Sequence, residues 1–401
     1  MHLADDVLWR ASKRGLLVSV PDGDAALLEH PRATRLPDLL ADGPDRATLA
    51  ARLGGPDGER LVAELVDAGV LTDPTDVADR PAGDPRRDRR VVLTRSGLEV
   101  AGIERPARWI DRHLLPLLCS LPGRFLLAAV VVAGLVSMTT GRPAGPAVTD
   151  RPVVDALVGF VVGLLLAALH ELAHAVALVH FGRRPRRAGF GFYWGGISFF
   201  VDSTEALTLP RRARVVQALA GLMVDVVTTS LLAITAQVSS SVLVAGVAWR
   251  LVVLGLLDLV TNLLPVLEVD GHWALADHLD EPDLAPRARA ALADALRGTS
   301  RPGTPRWMAV YGAVTLVGGL ALLAGGALVW WSAFDDLLGS LFAGDLAEVV
   351  VGVLLVTPVA LGALVSSLGL LLQGLVPDDA GREAAGAPAA HTVTGAPARD
   401  A

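Results

Sequence analysis

Residues 153–178, VVDALVGFVVGLLLAALHELAHAVAL, decide the fold. The run is long enough to cross a bilayer as a helix, for which about 20 apolar residues suffice. Near its end stands His170-Glu171-Leu172-Ala173-His174. On a helix, a spacing of four sets both imidazoles on one face, one turn apart, where they can share a tetrahedral zinc ion. Glu171 beside them can accept a proton from water. Such residues inside an apolar span cost several kcal/mol unless paired or used, which makes all three candidates for chemistry.

Working outward, the chain is 401 residues long, 52% hydrophobic and 19% charged, a balance that argues against an ordinary soluble globular protein. Further apolar blocks run over Phe125–Met138 with its flanks, Val215–Ile234, Val242–Leu264, Met308–Trp331 and Val349–Val376. With the first stretch they predict a mainly α, polytopic membrane bundle of six spans over residues 124–376. A cleaved signal peptide is not expected, because the first apolar block starts far into the chain. Arg183, Arg184, Arg186, Arg187, Arg211, Arg212 and Arg214 fall between the second and third spans; Arg287, Arg289, Arg297, Arg301 and Arg306 fall between the fourth and fifth. The loops of the other side carry Arg142 and Arg151, or the acids Asp335, Asp336 and Asp345. The positive-inside rule therefore predicts a multi-pass cell-membrane protein with both termini in the cytoplasm. A single cysteine, Cys119, forbids an intrachain disulfide.

Residues 1–75 have another texture. Short β-like runs (Val7–Arg10, Gly15–Val20, Ala25–Leu28) precede three amphipathic stretches, Ala33–Leu40, Arg46–Leu53 and Glu59–Ala68. The pattern predicts a small α+β, winged-helix-like domain. Positions 1–79 hold 15 acidic against 8 basic residues, so nucleic acid is not the expected partner. Residues 76–90 read as a polar linker. Over 91–123 we expect a hairpin and a helix lying in the cytoplasmic interface. The Ala/Gly/Pro-rich residues 377–401 cannot build a core, and we expect disorder there.

Two imidazoles leave a hydrolytic zinc site one protein ligand short. Asn262-Leu263-Leu264-Pro265 ends the fourth span, and Asp270-Gly271 follows five residues after the proline. Pro265 stops the helix and Gly271 frees the backbone to turn, so Asp270 can return toward the metal. H-E-x-x-H in one span and N-x-x-P-x-x-x-x-D-G in a later one together resemble the site-2 protease family of intramembrane zinc metallopeptidases, over roughly residues 120–290. The resemblance implies His170, His174 and Asp270 as metal ligands, Glu171 as the base, and Asn262 as a holder of substrate or of the developing oxyanion. That family often has Gly-Pro-x-x-Asn in the span between, where this chain has Gly221-Leu222-Met223-Val224-Asp225. Asp225 is therefore open to a role at the site or to pairing with Arg250, and Asp258, one turn before Asn262, to orienting a ligand. His180, His272 and His278 read as ordinary interfacial histidines. The aromatic, glycine-spaced residues 189–202 suit a hairpin at the membrane interface, where this family is similar in having a β-element.

The N-terminal pattern also resembles the precursor-recognition domain of enzymes that mature ribosomally made, modified peptides, including those of daptide type. This resemblance implies leader removal from a hydrophobic or membrane-associated precursor beside the lipid bilayer. Two alternatives remain open at this point. One is regulated cleavage of a single-span membrane protein such as an anti-sigma factor. The other is a non-catalytic peptide-binding or immunity protein.

Overall fold

The structure, a computed structural model, describes residues 1–4, 7–13, 15–19, 25–28, 32–54, 56–72, 91–93, 97–143, 146–193, 196–299, 304–373 and 391–393. The chain opens with β1 (His2–Leu3), β2 (Leu8–Ala11), β3 (Leu16–Ser19) and β4 (Ala25–Leu28), then α1 (Leu36–Leu39), α2 (Arg46–Leu53), α3 (Pro56–Asp67) and β5 (Leu71–Thr72). β2, β3 and β4 form an antiparallel meander, and β1 pairs with β5. One apolar core unites them: Leu16, Val18 and Leu28 from the sheet meet Leu49 and Leu53 of α2 and Leu61, Val62 and Leu65 of α3. α2 starts where the Asp45 carboxylate accepts from the Thr48 amide at 2.7 Å, an N-cap that satisfies one of the helix's free donors.

Next come β6 (Val91–Leu93), β7 (Gly97–Ala101), α4 (Glu104–Trp109) and α5 (Leu115–Cys119), the two helices joined by a π-helical turn. Ala107 of α4 is buried against Ala175 and Val176, while Trp109 and Leu117 face outward. α6 (Leu121–Thr139) and α7 (Pro152–His180) lead to β8 (Arg187–Tyr193) and β9 (Gly196–Val201). The segments read from sequence as two separate hairpins join into one four-stranded antiparallel sheet in the order β6-β7-β8-β9, with Leu98 opposite Phe190. After a 3-10 turn at Thr204–Thr208 follow α8 (Arg211–Ala218), α9 (Ala220–Val238), α10 (Val242–Leu263), α11 (Asp270–Leu279), α12 (Leu284–Leu296), α13 (Arg306–Phe342) and α14 (Leu346–Gln373).

Among the described residues six helical stretches are long and apolar enough to cross a membrane: α6, α7, α8 with α9, α10, α13 and α14. The chain is a mostly helical, multi-pass membrane protein. Large apolar side chains such as Phe125, Val132 and Val136 of α6 point outward, as suits contact with lipid. α9 packs against α6, α7 and α10 and is the centre of the bundle. α13 extends past its expected end at Trp331 and through Asp335-Asp336 to Phe342. The extension is helical because Leu337 and Leu341 bury themselves against Ala156 of α7, and Asp336 meets Arg142 at 2.6 Å. Most of the segment 377–401 lies outside the described residues; its β10 (His391–Val393) pairs parallel with β4.

Within the bundle Arg250 of α10 pairs with Asp155 of α7 at 3.4 Å and donates to the Ala147 carbonyl at 3.0 Å. Both side chains are buried, so neither charge has water as an alternative. Replacing Arg250 with Met while Asp155 remains is expected to destabilise the protein by about 3–5 kcal/mol, read as a lower unfolding midpoint in detergent. Adding Asp155→Asn should recover part of the loss, and an unchanged midpoint for the single variant would contradict the pairing.

Candidate metal centre

Three atoms from two distant stretches of chain converge in the C-terminal half of α7. His170 Nε2 and His174 Nε2 lie 3.2 Å apart. Asp270 Oδ2 lies 3.2 Å from the first and 3.4 Å from the second. Donor atoms at 2.0–2.1 Å from a tetrahedral zinc ion stand about 3.3 Å from one another. The observed triangle has that size.

The other ring nitrogens decide what these atoms can do. His174 Nδ1 lies 2.8 Å from the backbone oxygen of Gln217. A carbonyl can only accept, so Nδ1 carries a hydrogen, and in the neutral ring Nε2 presents a lone pair. His170 Nδ1 lies 2.6 Å from Asp225 Oδ2, where a carboxylate fixes the same tautomer. Asp270 Oδ2 is buried and, among the described residues, has only the two imidazole nitrogens facing it. With both rings neutral, three lone pairs face one another. Such a cluster is costly unless a cation lies between its members. Two imidazoles and a carboxylate suit zinc.

The elements that bring these atoms together do so by close backbone approach. A Cβ on Gly221 would lie 2.4 Å from His170 Nε2. Only glycine lets α9 come near enough for Asp225, one turn further on, to reach the ring. At the other side α10 ends at Leu263, the chain turns through Pro265, and α11 starts on Asp270 itself. A Cβ on Gly271 would lie 2.3 Å from the Leu263 carbonyl oxygen, so that turn too requires glycine. The Tyr311 hydroxyl donates to the Pro265 carbonyl at 2.8 Å and lies 2.8 Å from Nδ1 of the buried His272. Burial lowers the His272 imidazole to about 4, so the ring is neutral.

Glu171 belongs to the same group: a carboxylate oxygen of it and one nitrogen each of His170 and His174 lie within 4.8 Å of one another. The Asn262 amide donates to Asp258 Oδ1 at 3.0 Å. Asp258 has a carboxylate oxygen within 4.8 Å of ligand atoms of His170 and Asp225. Asp225, left open in sequence between a role at the site and pairing with Arg250, meets His170, whereas Arg250 meets Asp155. His180 pairs with Asp111 at 3.0 Å on the surface and His278 is exposed. Sequence reading missed the Gln217 carbonyl, for which no side chain gives a signal.

Gly221→Ala and Asp225→Ala are each expected to weaken zinc binding by about 10- to 100-fold, the usual cost of disturbing a ligand's support. Chelator competition on purified protein reads the change, and an affinity equal to wild type in Asp225→Ala would remove it from the site. No protein-family model, no curated protein and no solved structure matches this chain.

Proposed function

We propose that the chain is a zinc-dependent intramembrane endopeptidase of the site-2 type. The observation that carries this reading is the triangle of His170 Nε2, His174 Nε2 and Asp270 Oδ2, with Glu171 beside it. Zinc held there would supply Lewis acidity toward the scissile carbonyl and toward water. Glu171 takes the proton of the attacking water as the carbon–oxygen bond forms, and delivers it to the leaving nitrogen as the carbon–nitrogen bond breaks. Asn262 has one amide hydrogen on Asp258; its second hydrogen and its oxygen remain for the substrate backbone or the developing oxyanion.

A peptide must be extended before it can be cut, because a helix hides its amides. β9 is the outer strand of its sheet and pairs only with β8 among the described residues. Its Val201 packs beside Leu172, Ala175 and Val176 of the helix that carries the histidines. An extended substrate can add to this edge next to the cleavage point.

The substrate is a hydrophobic or membrane-associated peptide, with leader removal from a ribosomally made, modified precursor as the favoured task. Both chain ends and the arginine-rich connections face the cytoplasm in this reading. The connections of the opposite side are residues 140–151, 239–241 and 343–345, too short for a folded domain of about 50 residues or more. That favours peptide maturation over signalling cleavage, whose enzymes often carry a PDZ-type domain on that side.

Glu171→Gln is expected to keep its zinc and to lose cleavage by about 10²- to 10⁴-fold. Mass spectrometry of leader-bearing and single-span hydrophobic peptides co-expressed with each protein reads the products, and full activity in this variant would refute the role of Glu171. Asp270→Ala is expected to lower the zinc content of purified protein; a full complement would exclude Asp270 as a ligand.

A further inference from the structure

The seat of the N-terminal unit on the membrane part gathers at Asp280, the residue that closes α11. Asp280 adopts φ 57, the one non-glycine positive φ among the described residues. Its Oδ1 accepts from Arg10 Nη1 at 2.8 Å and from Arg214 Nη2 at 3.0 Å, and its Oδ2 accepts from the Lys13 amide at 3.2 Å. Lys13 Nζ donates to the Leu279 carbonyl at 2.6 Å, and Arg10 Nε to the Leu207 carbonyl at 2.9 Å. Burial works to raise the Asp280 carboxyl, and the hydrogen bond and charge of Arg10 outweigh it, holding the group below its ordinary range.

Arg214 is the inner half of this knot. Its side chain is 1% exposed, and it donates to Asp277 Oδ1 at 2.6 Å, the Asp277 carbonyl at 3.1 Å and the Leu209 carbonyl at 3.0 Å. A buried guanidinium is tolerated only when its donors are matched in this way. Arg214 sits on α8 one turn before Gln217, whose carbonyl fixes His174. Asp277 and Asp280 sit at the far end of the helix that begins with Asp270. A single cation thus ties the support of one metal ligand to the helix of another. Through Asp280 the tie continues to β2 and the turn after it.

We propose that Arg214 and Asp280 are positioning residues of the metal centre, and that docking of the N-terminal unit through Arg10 and Lys13 completes the seat of α11 and therefore of Asp270. The proposal rests on the metal reading of the site. Removal of Arg10 leaves Asp280 with less to balance its strained backbone, so α11 loosens at its end and the Asp270 carboxylate moves relative to the imidazoles.

The test uses full-length protein with zinc as the probe. Chelator competition measures zinc affinity in wild type, Arg10→Ala, Asp280→Ala and the double variant, with Arg52→Ala, which breaks the remote Arg52–Asp42 pair, as a control. Arg10→Ala is expected to weaken zinc binding by about tenfold, Asp280→Ala by at least as much, and the double variant no more than Asp280→Ala, because both act on one network. Arg52→Ala should leave the affinity unchanged. Hydrogen exchange over residues 270–280 should quicken in Arg10→Ala while the spans keep wild-type protection, which separates local release from misfolding. Should Asp280→Ala fail to fold, Arg10→Lys, which keeps charge but not the forked contact, carries the same expectation at smaller size. Faster exchange at α11 with zinc affinity equal to wild type overturns the proposal. Absence of zinc binding in wild type would instead bring down the peptidase reading, so the two failures are distinct.

Discussion

An imidazole inside a membrane has two nitrogens to satisfy, and in His170 and His174 one of each is already committed. Asp225 holds one ring and the Gln217 carbonyl the other, which turns both remaining nitrogens toward the same point. Neither partner can donate a hydrogen, so neither ring has freedom in its tautomer. Everything else at this end of the bundle follows from serving that point. α9 must touch α7 closely, and so it carries Gly221 against the first ring. α10 must stop short, and so Pro265 and Gly271 turn the chain until Asp270 faces the rings.

The same constraint explains the surroundings. A carboxylate facing two lone pairs needs a rigid mount, and α11 is fixed at both ends. Its start packs on the last carbonyls of α10. Its end is gripped by Arg214 from within and by Arg10 and Lys13 from the N-terminal unit. As proposed, the recognition unit and the chemical site then act as parts of one mechanical assembly, more than as a tether and an anchored enzyme.

Much of this was legible in the chain. The six apolar blocks needed only length and composition, and His170, Glu171 and His174 announced themselves by spacing on one helical face. Asp270 could be brought near through the stop at Pro265. What escaped reading depends on contacts between distant segments. Pairing of β7 with β8 is one such contact, since each strand alone looks like half of its own hairpin. The extension of α13 is another, because Asp335-Asp336 reads as a loop until Leu337 and Leu341 are seen to bury themselves. Asp225 was open to a role at the site or to pairing with Arg250, and which it takes depends on how α7, α9 and α10 cross. Arg214 looked like one of several loop arginines that orient the chain, yet it is the buried one.

The most direct test of the central claim is X-ray absorption at the zinc edge of protein purified with the metal. The account predicts two nitrogen ligands of imidazole type at about 2.0–2.1 Å with the remainder oxygen, and loss of one imidazole contribution in His174→Ala. A spectrum without imidazole scattering, or one unchanged by that substitution, would contradict it.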